Sequence, residues 1–170
     1  MNRTRKEGNL ERIAYHEVGH AVIVHHFGGK LVDISIKANV ESFGRTKNEW
    51  EKFVGRDHSE ITIDDLLLAY RQFVIGCLGG FAAEYIYDRE PKNFHFSKSE
   101  KDLRDVEAIL DEMRKLQPSK QNTVELIFPE AVEILRMKWT KVEALSAALI
   151  QKGTISGEEA AKIIESEWGG

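Results

Sequence analysis

The residues best suited to chemistry lie in one pentapeptide, His16-Glu17-Val18-Gly19-His20. On a helix, residues four apart sit one turn above each other, so His16 and His20 direct two imidazoles at one point, at a separation that a zinc ion bridges. Glu17 leaves from an adjacent face, where it reaches a water at the metal without binding the metal itself, which is the position of a general base. The dull alternative is a pair of ordinary helix histidines with a solvated glutamate between them. The apolar helical pattern around the motif counts against it, because a buried imidazole without a partner is costly.

A catalytic zinc site needs a third protein ligand and keeps one position open for water. His25 and His26 follow too soon on the same helix to turn back to the metal, and they read as helix-end histidines favoured by the negative end of the dipole. Asp102, Asp105, His95 and Glu84 are the candidates from other elements. Each also has a plain reading: Asp105 as a first-turn acid, His95 as a loop histidine, and Glu84 as a polar position on a long helix or a group that orients a zinc-bound histidine.

Several elements must position these groups. Leu10, Ile13, Ala14, Glu17, Ala21 and Val24 recur at helical steps from Asn9 until Gly28-Gly29 stops the run, while residues 1–8 read as a flexible lead-in. Val32, Ile34 and Ile36 alternate with Asp33, Ser35 and Lys37 as in a half-buried strand, either a plain one or an edge on which an extended peptide adds. Val40 to Thr46 reads as its partner strand, and residues 47–60 as a loop or one short helix. Thr62 and Asp65 have capping-box spacing before an apolar helix reaching about Tyr87. That helix carries Gly76, Gly79 and Gly80, each costing about 1 kcal/mol against alanine, so the close approach of another helix or backbone is expected to offset them.

Downstream, Ser99 to Asp102 repeat the capping spacing ahead of a stripe formed by Leu103, Val106, Leu110 and Met113, closed by Pro118. Val132, Leu135, Trp139, Val142, Leu145 and Leu149 predict one helix ending at Lys152-Gly153, with Pro129 in its first turn. Ser156 and Glu159 cap a final helix holding Ala160, Ile163 and Ile164. Trp50, Trp139 and Trp168 read as packing residues and Cys77 as core filler. The expected fold class is mainly α, of the α+β kind: a helical bundle with a small β-sheet, in a single domain over residues 9–170.

Composition narrows the function. With 170 residues, the chain supports one well-buried core. Its 24 Lys and Arg against 28 Asp and Glu give a net charge of −4, so nucleic acid is not an expected partner. The apolar runs at 21–24 and 73–78 are far shorter than a bilayer span, and neither a membrane segment nor a signal peptide is expected. One cysteine excludes an internal disulfide and fits the cytoplasm.

Four separate stretches resemble, in order, the peptidase domain of the FtsH family of ATP-dependent zinc proteases. They are residues 14–22 around the two histidines, Gly79-Gly80-Phe81-Ala82-Ala83-Glu84, Lys101-Asp102-Leu103, and residues 149–159, together covering the span from about Leu10 to Ile164. The resemblance implies an FtsH-peptidase-like fold with a zincin-type HExxH helix and a glycine-rich helix packed behind it. It implies Zn²⁺ held by His16, His20 and Asp102, with Glu17 as the catalytic base of a metalloendopeptidase. The resemblance also implies a polypeptide substrate and a homo-oligomer; because no ATP-driven motor is read in the sequence, the substrate is expected to be unfolded or extended, or delivered by a separate ATPase as partner. The family's pattern is not kept throughout: Lys101 stands where an Asn usually precedes the ligand aspartate, Phe81 replaces a frequent Arg, the segment between Leu116 and Thr123 is shorter, and no phosphate-binding loop is encoded. A non-catalytic, zinc-stabilised interaction module is the competing expectation. Retention of Glu17 weighs against it, since a structural metal needs no base.

Overall fold

The computed structural model describes residues 3–37, 45–49, 60–96 and 100–166. Six helices and three short strands follow in the order α1 (Arg3–His26), β1 (Lys30–Ser35), β2 (Arg45–Glu49), α2 (Ile63–Tyr87), α3 (Glu100–Leu116), α4 (Val124–Met137), α5 (Trp139–Lys152), β3 (Thr154–Ser156) and α6 (Gly157–Glu165). The chain is therefore mainly helical with a small antiparallel sheet, as its periodicities predict. α2 is the centre of the bundle, packed against α1, α3 and α4, and α5 packs on α1.

The helix ends lie where side chains and main chain satisfy them. Thr62 Oγ1 accepts from the Asp65 amide while Asp65 accepts from the Thr62 amide, the full capping box predicted for α2. Ser156 Oγ likewise accepts from the Glu159 amide at the start of α6. α1 stops as expected: Gly28 takes a positive φ of 79°, and the Gly28 and Gly29 amides close on the His25 and Val24 carbonyls. At its other end α1 reaches back to Arg3, so residues 3–8, expected as a lead-in, are helical; Arg, Lys and Glu are good helix formers, and the helix runs on through Gly8.

The sheet departs from the sequence reading in three ways. Its order is β2-β1-β3, so β1 is the central strand and cannot be the receiving edge for a peptide. The register slips between Leu31 and Asp33, and this bulge reverses the side-chain phase: Leu31 is buried with Ile34 and Ile36, whereas Val32, expected to face inward, is exposed. Among the described residues the partner strand is Arg45–Glu49, which overlaps the expected strand at Arg45 and Thr46 and takes the place of the loop or short helix expected at 47–49; its sequence, RTKNE, carries no apolar alternation. Val40 to Gly44, Trp50, Phe53, Ser99 and Trp168 lie outside the described residues.

Two further differences fall in the last third. The single predicted helix is two, α4 and α5, broken at Lys138, and Pro129 lies inside α4 rather than in a first turn, so α4 forgoes the bond an amide there would make to Glu125. The predicted apolar stripe survives the break, with Val132, Leu135, Val142, Leu145 and Leu149 all buried. Trp139 stacks on Tyr15 with ring centroids 5.5 Å apart, a packing role. β3, which no sequence signal announced, pairs with β1 from Asp33 to Ser35.

By length and composition alone α2 is long and apolar enough to cross a membrane, a test that the core helix of a folded domain also passes. More than half of its most apolar window is buried inside this fold.

Candidate metal centre

The site forms where α1 crosses α2 at unusually short range. A Cβ added to Gly79 would lie 2.7 Å from the Gly19 carbonyl oxygen, and one added to Gly19 would lie 2.2 Å from that of Gly79. Two bare backbones therefore meet where ordinary side chains would hold the helices apart, which accounts for two of the glycines in these helices. One residue further on, a Cβ at Gly80 would stand 2.6 Å from the Nε2 atoms of both His16 and His20. The two imidazoles lie directly against that uncovered backbone. Gly76 has no such crowding, its nearest neighbour being Val24 Cγ2 at 3.8 Å.

The remaining ring nitrogens are held from behind. His16 Nδ1 lies 2.7 Å from Glu84 Oε1, and His20 Nδ1 donates to the Gly76 carbonyl at 2.8 Å. Both Nε2 atoms are thereby turned to a common centre, 3.1 Å apart. Asp102, in the first turn of α3, completes it: its Oδ2 is 3.4 Å from His16 Nε2 and 3.5 Å from His20 Nε2. Among the described residues these three form the one group whose donor atoms converge closely enough for a metal ion.

Three donors placed 2.0–2.1 Å from an ion at tetrahedral angles lie about 3.3 Å from one another. The separations of 3.1, 3.4 and 3.5 Å match that figure. Two imidazoles and one carboxylate also form a donor set characteristic of zinc, and the histidine backed by a carboxylate is the usual outer support of such a ligand. The residues present therefore fit zinc.

Electrostatics agree with the geometry. Burial opposes a charge on His16, but the bonds to Asp102 and Glu84 and the negative field of Glu17 and Glu84 outweigh it, raising its pKa from 6.5 to about 9. Burial likewise opposes the Glu84 carboxylate, yet His16 and Arg12 hold it below the ordinary value. Arg12 donates from Nε to Glu84 Oε2 at 2.9 Å and reaches Asp88 Oδ2 at 2.9 Å. Burial, together with the charges of Asp102 and Asp105, pushes the Cys77 thiol up to about 12, in keeping with a packing role.

The structure thus brings His16, His20 and Asp102 together, with Glu17 buried beside them on α1. It does not bring in Asp105 or His95, both exposed, and His25 instead pairs with Glu165 at 2.9 Å. Of the two readings open for Glu84, the one that orients a histidine is the geometry observed. Sequence reasoning missed Arg12, although its place one helical turn before His16 was a usable signal. It also missed Thr46, whose hydroxyl lies 2.9 Å from Glu17 Oε2; only the pairing of β2 with β1 brings that residue to the helix. Comparison with protein-family models and with curated proteins gives no match to this chain.

Proposed function

We infer that the protein is a zinc-dependent metalloendopeptidase with an FtsH-peptidase-like fold. The observation that carries this reading is the convergence of His16 Nε2 and His20 Nε2 of α1 with Asp102 Oδ2 of α3 at tetrahedral spacing, beside a buried glutamate, Glu17, that shares the helical turn of the two histidines. His16, His20 and Asp102 are the residues to hold the ion. Zinc, when bound, supplies a Lewis acid for the scissile carbonyl and makes water easier to deprotonate. Glu17 takes the proton of the attacking water and passes it to the leaving amine, so that one peptide bond is exchanged for an acid and an amine. Glu84 fixes the His16 ring, and the Gly76 carbonyl does the same for His20.

The substrate is an extended or unfolded polypeptide. With both edges of β1 occupied, the outer edge of β2 takes over as the place for it: among the described residues that edge pairs with no strand, and Thr46 brings β2 against Glu17. A separate ATPase is the partner that would unfold compact substrates, and the cytoplasm is the assigned compartment.

Glu17→Gln tests the reading. The variant is expected to keep one zinc per chain and to lose cleavage of unfolded casein by about a hundredfold or more, the scale of a general base. Asp102→Ala is expected to lose the metal. Wild-type protein that holds zinc yet cleaves no unfolded substrate would instead identify a zinc-stabilised interaction module.

A further inference from the structure

Glu17 is only 8% exposed, and a carboxylate taken that far out of water requires a defined partner. That partner is the hydroxyl of Thr46, 2.9 Å from Oε2 and 2.8 Å from the main-chain carbonyl of Glu17 itself. Among the described residues Oε1 has no hydrogen-bond partner. Building on the zinc-peptidase reading, we propose that Thr46 is a positioning residue for the general base: its hydroxyl anchors Oε2 and leaves Oε1 as the oxygen that takes the proton from water.

The anchor is rigid because of where it is mounted. Thr46 stands opposite Ile34 in the β1–β2 register, and residues directly opposite on paired strands share a face. Ile34 is fully buried, so Thr46 is carried on the core face, toward α1, by two paired strands rather than by a loop. The hydroxyl has one proton and two acceptors in reach, and the bond to a charged carboxylate is the stronger. Once Glu17 holds a proton, the main-chain carbonyl remains as an acceptor, so Thr46 stays satisfied in both states of the base. Fixing one oxygen confines the other, and a reacting group displaced by about 1 Å loses up to about a hundredfold in rate.

The test uses the full chain loaded with zinc, fluorescent unfolded casein as substrate, and the variants Thr46→Val and Thr46→Ser. Valine keeps the shape and removes the hydroxyl; serine keeps the hydroxyl. Thr46→Val is expected to lower kcat about tenfold to a hundredfold with little change in KM, while Thr46→Ser restores most of the loss and both bind one zinc per chain. An independent readout is the ¹³Cδ resonance of Glu17 in metal-free protein, assigned by its disappearance in Glu17→Gln. It is expected to move in Thr46→Val and to stay in place in Thr46→Ser. An unchanged kcat or an unmoved resonance in Thr46→Val, or equal damage from serine and valine, overturns the proposal. Inactive zinc-loaded wild type overturns the peptidase reading and this proposal with it, whereas active wild type with an indifferent Thr46→Val overturns the proposal alone.

Discussion

Changing pH in the absence of metal isolates the histidine pair from the rest of the fold. The His20 Nδ1 proton is committed to the Gly76 carbonyl, and its Nε2 lies 3.1 Å from His16 Nε2. His16 also faces Glu84 at Nδ1 and Asp102 at Nε2, so both of its nitrogens donate and the ring is charged. Its folded-state pKa of about 9 exceeds the ordinary 6.5. A raised value of this kind stabilises the fold fully below about pH 6.5 and is lost as pH rises through about 9. The difference corresponds to roughly 3 kcal/mol, and the side chain is only 13% exposed, so solvent screening leaves most of it. Urea unfolding followed by circular dichroism, with chelator present and pH stepped from 6 to 9.5, is expected to show that fall. His16→Gln should flatten it. With zinc the trend should reverse, because the metal replaces the Nε2 proton and binds more tightly as pH rises. Metal-free stability that is flat or rising over this window, and identical in His16→Gln, would refute the assignment of a charged His16.

Glu84→Gln is expected to weaken zinc binding by about tenfold to a hundredfold in a chelator competition, the usual cost of losing a carboxylate behind a ligand histidine. The glycines separate folding from metal binding. Gly80→Ala meets only the ends of two rings, which can turn away, so the protein should fold but lose its zinc. Gly79→Ala meets the Gly19 backbone and should cost about 1–3 kcal/mol of stability. Gly76→Ala has room, so it should gain up to about 1 kcal/mol and raise Tm by about 2–4 °C in a calorimetric scan.

The helices were legible because a period of 3.6 and a short-range cap are local properties: Thr62 with Asp65 and Ser156 with Glu159 mark their own helix starts. Spacing within one helix likewise sufficed to pair His16 with His20. The sheet was legible only in β1, whose alternation announced the strand with its buried Ile34 and Ile36, while the bulge put Leu31 rather than Val32 inside. β2 has no apolar face to reveal it, and β3 is three residues long. The break at Lys138 was hidden because α4 and α5 carry one continuous apolar stripe across it. Residue chemistry alone left four acids and histidines open as the third donor. Asp102 was the one that the FtsH resemblance implied, and it is the one the packing of α3 on α2 brings to the histidines. Thr46 carried no signal of its own, since its contact with Glu17 exists only once two strands have paired.

X-ray absorption at the zinc edge, on protein loaded with one equivalent of zinc, reads the ligand set directly. The expected spectrum has only nitrogen and oxygen neighbours at about 2.0–2.1 Å, with the outer-shell scattering of two imidazoles. A sulfur neighbour at about 2.3 Å, or the signature of fewer than two imidazoles, would contradict a centre built from His16, His20 and Asp102.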